Sequence, residues 1–235
     1  MMKAKSLLVF VLACALLVAG CSAVPPNSDM PEAVPSTGLP STCTPSAANP
    51  PMDYTLYGGD ILRVGSQGYE KCRINADTAQ KYAGLISDAA DALAGETQVY
   101  CLIIPTSYGI LLPDEVKARL SDYEDTEACI SEVYAALSEN AKPVRVWDKL
   151  KAHSDEFIYF RTDLHWTARG AYLGYEAFCN AKGIAPIPLE AHRSVNFEGF
   201  FGTFYSESGG DEKFSPAETI EAFYPVSDGV TLTVT

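Results

Sequence analysis

The sequence predicts an α/β fold, in which helices pack against a sheet of mostly parallel strands. Between residues 75 and 182, short apolar segments of strand length alternate with amphipathic segments of helical period. This order is typical of a layered α/β domain. Of the 235 residues, 47% are hydrophobic, so the chain can bury a substantial core. The length fits one medium-sized domain with appended segments.

The first twenty residues have the pattern of a bacterial secretion signal. Lys3 and Lys5 give a basic start, and the apolar run from Leu7 to Val18 is shorter than an ordinary membrane span. Small residues and then Cys21 follow, which predicts a lipoprotein signal peptide at residues 1–20 and a lipid on the cysteine. The alternative is an ordinary secretory signal with an incidental cysteine. We expect an extracytoplasmic protein that is lipid-anchored to the bacterial membrane.

Residues 21–52 are predicted to form a disordered tether. They are rich in proline, serine and alanine and contain few large apolar residues, so they cannot bury enough surface to order themselves. The tether would hold the remaining residues, 53–235, away from the membrane as the globular domain.

The charge of the chain limits its partners. A formal net charge of −13 argues against nucleic acid, because phosphate contacts need clustered lysine and arginine. A neutral glycan or an acyl-ester substrate is compatible with that charge.

The cysteines predict free thiols and no metal centre. The signal peptide removes Cys14 and the lipid occupies Cys21, which leaves an odd number of the seven cysteines. The sequence has no CxxC pair or Cys/His cluster, and we predict neither a metal site nor a cofactor. Buried free thiols are expected in the apolar segments that carry Cys101, Cys129 and Cys179, and a disulfide among them remains open.

Local signals place the elements of the domain in chain order. A helix is predicted from Asn75, a good N-cap, to Ala94, before Gly95. A buried strand at residues 98–104 stops at Pro105. The elements that follow are helices at 113–120 and 126–137, a strand at 144–147, a helical turn at 148–152, a strand at 157–160 and a helix at 167–182 that ends before Gly183.

Two further stretches are candidates for a site. Ser107 follows the strand at 98–104, where α/β enzymes place catalytic groups. No Gly-x-Ser-x-Gly elbow surrounds it, so a turn serine is the favoured interpretation. The segment Ser194–Gly209 is dense in aromatic residues and glycines. It lines a glycan groove in one interpretation and packs on the sheet edge in the other.

The strongest functional signal is the segment from Tyr159 to Ala171. Asp163 and His165 lie two residues apart between a predicted strand and a predicted helix, so their side chains leave an extended backbone on the same side. A carboxylate beside an imidazole fixes the histidine tautomer and supports it as a general base. Trp166 can wall the site, and Thr167 can cap the helix. The competing interpretation is a structural Asp–His contact.

The string RTDLHWTARGAY at residues 161–172 resembles the signature of the DHHW family of bacterial surface proteins. It also resembles the Asp-x-His-Trp motif of the alginate acetylation proteins, which have an SGNH-hydrolase-like domain. Leu164 replaces the first of the family's two histidines, so only His165 is available as the base. The resemblance implies an SGNH-like three-layer sandwich, with catalytic residues Asp163 and His165 and supporting residues Arg161, Trp166 and Thr167.

The resemblance further implies an esterase or O-acetyltransferase that acts on cell-envelope glycan. In the acetylation proteins the nucleophilic serine lies well downstream of the motif. After Gly209 no serine has such a setting, since Ser215 precedes a proline and Ser227 lies in a polar turn. We therefore expect a domain that is incomplete at its C-terminus and nearly inactive as given. The alternative is a non-catalytic surface lipoprotein that binds a glycan or a partner through its aromatic segment.

Overall fold

The computed structural model describes residues 52–71 and 75–226. The chain divides into two units, residues 1–46 and 47–235, and the described residues all belong to the second. The predicted signal peptide, Cys21 and all but the last residue of the predicted tether lie outside the described residues. Among the described helices, none has the length and apolar character needed to cross a membrane.

A three-stranded antiparallel sheet opens the described part of the chain. Strand β1 (Tyr54–Tyr57) pairs with β2 (Ile61–Val64), which pairs with β3 (Gln67–Glu70). The turn between β1 and β2 holds Gly58 and Gly59 at φ angles of 58° and 89°. Glycine adopts this left-handed conformation without steric cost, so the two residues allow the tight reversal.

A two-stranded parallel sheet is formed by β4 (Val99–Leu102) and β5 (Ala141–Val144). Helix α1 (Ala76–Ala92) packs against this pair, and Asn75 caps it by accepting the Thr78 N–H at 2.8 Å. The chain between β4 and β5 forms three helices, which are α2 (Ser107–Leu111), α3 (Asp114–Lys117) and α4 (Thr126–Ala135).

The helix that follows the Asp-x-His motif borders the largest apolar core. Helix α6 (Ala168–Lys182) begins after Thr167, whose hydroxyl accepts the Gly170 N–H at 3.3 Å, and ends at Gly183 with φ 74°. It packs against β5 and helix α5 (Trp147–Ala152). The buried residues of this core are Ile110, Val144, Val146, Leu150, Ile158, Tyr159, Leu173 and Ala177.

An antiparallel pair of strands follows. It consists of β6 (Ser194–Phe200) and β7 (Glu218–Phe223), and the connection between them contains helix α7 (Thr203–Glu207). Phe204 of α7 is buried, and its N–H donates to the Thr162 carbonyl at 2.9 Å. The connection between β6 and α7 therefore lies against the motif segment.

The predicted helices at 75–94, 126–137 and 167–182 are confirmed as α1, α4 and α6, each within a few residues. The expectation of a mostly parallel sheet is wrong for the described residues. The pairing β4–β5 is parallel, whereas β1–β2, β2–β3 and β6–β7 are antiparallel. The structure is a mixed α/β fold with small sheets, and these sheets do not confirm a three-layer sandwich.

The predicted strand at 157–160 is also wrong. The segment makes a single β-bridge, between Tyr159 and Trp166, and the Phe160 N–H donates to the His165 carbonyl at 3.2 Å. These bonds close a local loop, so Ile158 and Tyr159 are buried without joining a sheet. The strand predicted at 144–147 lies three residues earlier, as β5, because α5 already begins at Trp147.

Candidate active site

Asp163 and His165 form a direct hydrogen-bonded pair within the loop that Tyr159 and Trp166 close. The Asp163 Oδ1 lies 2.6 Å from the His165 Nδ1, and the same oxygen accepts the His165 N–H at 2.9 Å. The hydrogen bond assigns the proton of a neutral imidazole to Nδ1. The His165 side chain is 68% exposed, so Nε2 has access to solvent.

The second oxygen of Asp163 is held from the other side. Its Oδ2 accepts the N–H of Thr203 at 2.8 Å and the Thr203 hydroxyl at 3.0 Å. Burial raises the pKa of Asp163, but the hydrogen bonds from Thr203 and His165 outweigh this effect, and the pKa is lowered below its ordinary value. The carboxylate is therefore ionised at neutral pH and fixed in orientation by four hydrogen bonds.

Gly202 allows the β6–α7 connection to approach Asp163 this closely. A Cβ atom added at residue 202 would lie 2.3 Å from the Asp163 Cβ and 2.5 Å from its Oδ2. Because any side chain would displace the carboxylate or the loop, the Asp–His pair depends on a glycine at this position.

A buried carboxylate, Glu218 at the start of β7, holds the two residues that precede Asp163. Its side chain is 0% exposed. The Glu218 Oε1 accepts the Arg161 N–H at 2.7 Å, and Oε2 accepts the Thr162 N–H at 2.8 Å and the Thr162 hydroxyl at 2.5 Å. The Thr162 oxygen in turn accepts the Gly202 N–H at 3.0 Å. The loop that the Tyr159–Trp166 bridge closes, residues 159–166, is called the motif loop. One carboxylate thus joins β7, the motif loop and the β6–α7 connection.

Strand β3 supports the motif loop from another direction. The Gly68 N–H donates to the Arg161 carbonyl at 2.8 Å, and the Gln67 side chain donates to the Phe160 carbonyl at 3.1 Å. A Cβ at Gly68 would lie 2.3 Å from the ring of Phe204. The close contact explains why β3 carries a glycine where it meets the loop.

Glu70 interacts electrostatically with the Asp163–His165 pair. Burial raises the pKa of Glu70, the negative charges of Glu207, Asp60 and Asp163 raise it further, and His165 lowers it. These interactions place Glu70 within electrostatic range of the pair.

Two of the predicted supporting residues, Thr167 and Arg161, make side-chain contacts outside the Asp163–His165 pair. The Thr167 hydroxyl also donates to the Phe157 carbonyl at 2.8 Å, and the Arg161 Nε lies 3.4 Å from the Glu218 Oε1. The Trp166 ring packs against helix α6, where a Cβ at Gly174 would lie 2.7 Å from it. Trp166 is partly buried and packs against the main apolar core. Its expected role as a wall of the site stays a prediction.

The other sequence candidates lie in different settings. Ser107 is 1% exposed, and its hydroxyl donates to the Gly68 carbonyl at 3.3 Å. In the aromatic segment, the rings of Phe201 and Tyr205 stack with centroids 4.2 Å apart. Cys101 and Cys179 are buried free thiols, and Cys129 is partly exposed. Among the described residues, no three or more His, Cys, Asp and Glu side chains are grouped so that they could hold a metal ion.

Sequence reasoning found Asp163 and His165 but missed their non-local partners. Thr203 lies 40 positions from Asp163, and Glu218 lies 56 positions from Thr162. Neither has a local sequence signal for its role. The sequence signals for Glu218 and Gly202 are weak. Glu218 is a glutamate at the start of an alternating strand, and Gly202 is a glycine that follows two phenylalanines.

Solved structures share this fold at low sequence identity. A DHHW family protein from Eubacterium siraeum DSM 15702 matches with a TM-score of 0.65 and 22% identity, over 74% of this chain and 56% of that chain. Bacillus cereus PatB1 matches with a TM-score of 0.53 and 16% identity, over 74% and 59% of the two chains. The O-acetyltransferase domain of Pseudomonas putida AlgJ matches with a TM-score of 0.44 and 14% identity, over 72% and 64%. This chain thus spans less than two thirds of each. No curated protein matches it.

The match to a protein family covers most of the chain. A family model described as DHHW protein matches residues 45–234, which include every described strand and helix. The solved structure with a TM-score of 0.65 is also that of a DHHW family protein. The chain therefore belongs to the DHHW family.

Proposed function

We propose that Asp163 and His165 are the orienting acid and the general base of an SGNH-like esterase or O-acetyltransferase. The observation that carries this proposal is the 2.6 Å contact between Asp163 Oδ1 and His165 Nδ1, together with the exposed imidazole. A carboxylate in this position keeps the Nδ1 proton in place and leaves the Nε2 lone pair free to accept a proton.

The chemistry expected of such a pair is acyl transfer. A serine hydroxyl adds to the ester carbonyl while Nε2 of His165 takes its proton, and the proton then passes to the leaving alcohol. Asp163 stabilises the imidazolium that forms between these steps. Its lowered pKa keeps it ionised throughout, so it orients His165 without taking part in the proton transfer.

We assign the nucleophile to a part of the family domain outside residues 52–71 and 75–226. Within these residues, the ring of His165 has a hydrogen bond to Asp163 and to no serine, and the hydroxyl of Ser107 is bound to Gly68. PatB1, with a TM-score of 0.55, has been solved with a sulfonyl adduct. Sulfonyl reagents modify activated nucleophiles, and that chemistry is compatible with this proposal.

We further propose that the protein acts at the cell envelope, on glycan, while anchored by a lipid on Cys21. The basic start, the short apolar run and the cysteine at residue 21 support the anchor. Labelling cells with a radioactive fatty acid tests it. Cys21→Ala should abolish the label and release the protein from the membrane fraction, and retention of both would overturn the anchor.

The catalytic proposal is tested with a chromogenic acetyl ester. We would assay the whole product of the gene that encodes this chain, its His165→Ala variant, and a His153→Ala variant as the matched control. The ring of His153 is also bound to a carboxylate, with Nδ1 2.6 Å from the Glu156 Oε1, but it lies in another part of the fold. His165→Ala should abolish turnover and His153→Ala should preserve it. Full turnover in the His165→Ala variant would refute the role of the pair.

A second function is favoured by the aromatic segment. Phe201 and Tyr205 stack beside the Gly202–Thr203 connection, and Phe197 is 56% exposed. Such rings are suited to the faces of sugars, which would make the protein a non-catalytic binder of glycan or of a partner. Binding of envelope glycan that survives His165→Ala but is lost on Phe201→Ala, in a protein without esterase activity, would select this function.

A further inference from the structure

We propose that Glu218 is the residue that positions the Asp163–His165 pair. Glu218 does not touch either side chain of the pair. It acts through the backbone of residues 161 and 162, which it fixes immediately before Asp163. Its significance for catalysis rests on the proposed function, whereas its effect on the geometry of His165 can be measured without any activity.

Because Glu218 is buried, its oxygens need hydrogen-bond donors from the protein. A carboxyl group removed from water is destabilising unless hydrogen-bond partners surround its oxygens. Among the described residues, the donors to Glu218 all belong to two consecutive residues: both backbone N–H groups, the Thr162 hydroxyl and, at 3.4 Å, the Arg161 side chain. The carboxylate is satisfied only when residues 161 and 162 adopt this one backbone conformation. This requirement fixes the backbone conformation immediately before Asp163.

The same network reaches Asp163 from its other side. The Thr162 hydroxyl donates to Glu218 and accepts the Gly202 N–H at 3.0 Å. The next residue, Thr203, supplies both donors to the Asp163 Oδ2. Glu218 therefore fixes the loop that carries Asp163 and, through Thr162, the connection that holds its carboxylate. A shift at either place changes the orientation of the oxygen that binds the His165 Nδ1.

Strand β7 provides a matched control at Glu221. This residue lies three positions from Glu218 and forms an ion pair with Arg169 of α6 at 2.7 and 3.1 Å. Its partners include no residue of the motif loop or of the β6–α7 connection. Glu218→Gln and Glu221→Gln make the same carboxyl-to-amide change in the same strand. A difference between the two variants therefore reports the hydrogen bonds that Glu218 makes to residues 161 and 162.

The tautomer of His165 is the measurement that distinguishes positioning from general stabilisation. Long-range ¹H–¹⁵N correlation spectra of the full chain distinguish a proton on Nδ1 from one on Nε2. The chain has three histidines, and His153 and His192 serve as internal references because their Nδ1 atoms face Glu156 and the Tyr224 carbonyl. Thermal melting of each variant reports stability separately.

We expect wild-type His165 and the Glu221→Gln variant to show the Nδ1–H form. In Glu218→Gln the ratio of the two tautomers should shift toward Nε2–H by roughly fivefold or more, the size expected when one hydrogen bond is lost. Thr162→Val removes the hydroxyl that joins Glu218 to the Gly202 N–H and should give the same shift. Thr162→Ser keeps this hydroxyl and should show the wild-type spectrum.

The outcomes separate the inference from the proposed function. If Glu218→Gln folds and His165 keeps the Nδ1–H form, Glu218 is not a positioning residue. If Glu218→Gln does not fold, the Thr162→Val and Thr162→Ser pair decides, and identical spectra for the two would overturn the inference. If the tautomer shifts in the variants but the protein proves to have no esterase activity, the inference about Glu218 stands. Only the catalytic proposal is then removed.

Discussion

Thr203 donates twice to the Oδ2 of Asp163, through its backbone N–H at 2.8 Å and its hydroxyl at 3.0 Å, across 40 positions of sequence. The two donors occupy the oxygen that does not face His165. The β6–α7 connection thus completes a hydrogen-bonded carboxylate whose remaining oxygen is directed at the imidazole.

Thr203→Val should raise the pKa of Asp163, because it removes one of the hydrogen bonds that lower it. A carboxyl group whose pKa is lowered by folding adds stability above its ordinary pKa of 3.8, and this stability is lost as the pH falls through the lowered value. The variant should therefore lose less stability on acidification than the wild type. Carboxyl ¹³C titration and melting between pH 2 and 6, values chosen to bracket the ordinary carboxyl range, measure both effects.

Thr203→Ser is the control for that experiment, since it keeps both the hydroxyl and the N–H. Its titration should follow the wild type. A raised pKa in Thr203→Ser, or an unchanged one in Thr203→Val, would mean that the hydroxyl is not what lowers the pKa of Asp163.

Gly202→Ala should be destabilising by about 1–3 kcal/mol, the usual cost of forcing atoms into a packed site. The added Cβ would lie 2.3 Å from the Asp163 Cβ. Gly84→Ala is the matched control: it lies within α1, and an added Cβ there meets no atom within 4 Å. Because alanine favours a helix over glycine, that variant should be stabilised by roughly 0.5–1 kcal/mol. Denaturant unfolding measures both, and effects of the same sign would contradict the prediction.

The parts of the fold that the sequence could predict are those with local causes. The cap of α1 by Asn75 and the stop of α6 at Gly183 lie within the elements that they bound. The contact between Asp163 and His165 is likewise a relationship between residues two positions apart. Each of these features follows from the order of a few neighbouring residues, without knowledge of what packs against them.

The features that the sequence could not predict depend on distant residues. Glu218 and Gly202 acquire their roles only when β7 and the β6–α7 connection fold against the motif loop. The apolar segment 157–160 has the pattern of a buried strand, but its backbone bonds are made within the loop itself. Burial without strand pairing produces the same pattern as a strand, so periodicity cannot distinguish the two.

Trp166→Ala should affect stability and leave the site unchanged. The Trp166 ring packs on Gly174 of α6 beside the main core, so its removal should cost roughly 3 kcal/mol, the low end for such a truncation. The His165 tautomer should remain Nδ1–H at temperatures where the variant is folded. If the tautomer changes while stability does not, Trp166 acts as a wall of the site rather than as a core residue.

Ser107 is not placed to act as the nucleophile of the Asp163–His165 pair. Its hydroxyl is buried and bound to the Gly68 carbonyl, and it has no hydrogen bond to His165 in the described part of the chain. With no nucleophile at His165 among the described residues, the pair there can activate water only, and the efficient covalent route is absent. The chain of 235 residues should therefore hydrolyse a chromogenic acetyl ester at a rate close to that of its His165→Ala variant.

Ser107→Ala should leave that low rate unchanged and lower the melting temperature slightly, because it removes one buried hydrogen bond. Glu221→Gln provides a control for loss of stability without a change near the pair. Strong turnover by the chain that disappears in Ser107→Ala would identify Ser107 as the nucleophile. His165 would then have to approach Ser107, and the nucleophile would lie within the described residues.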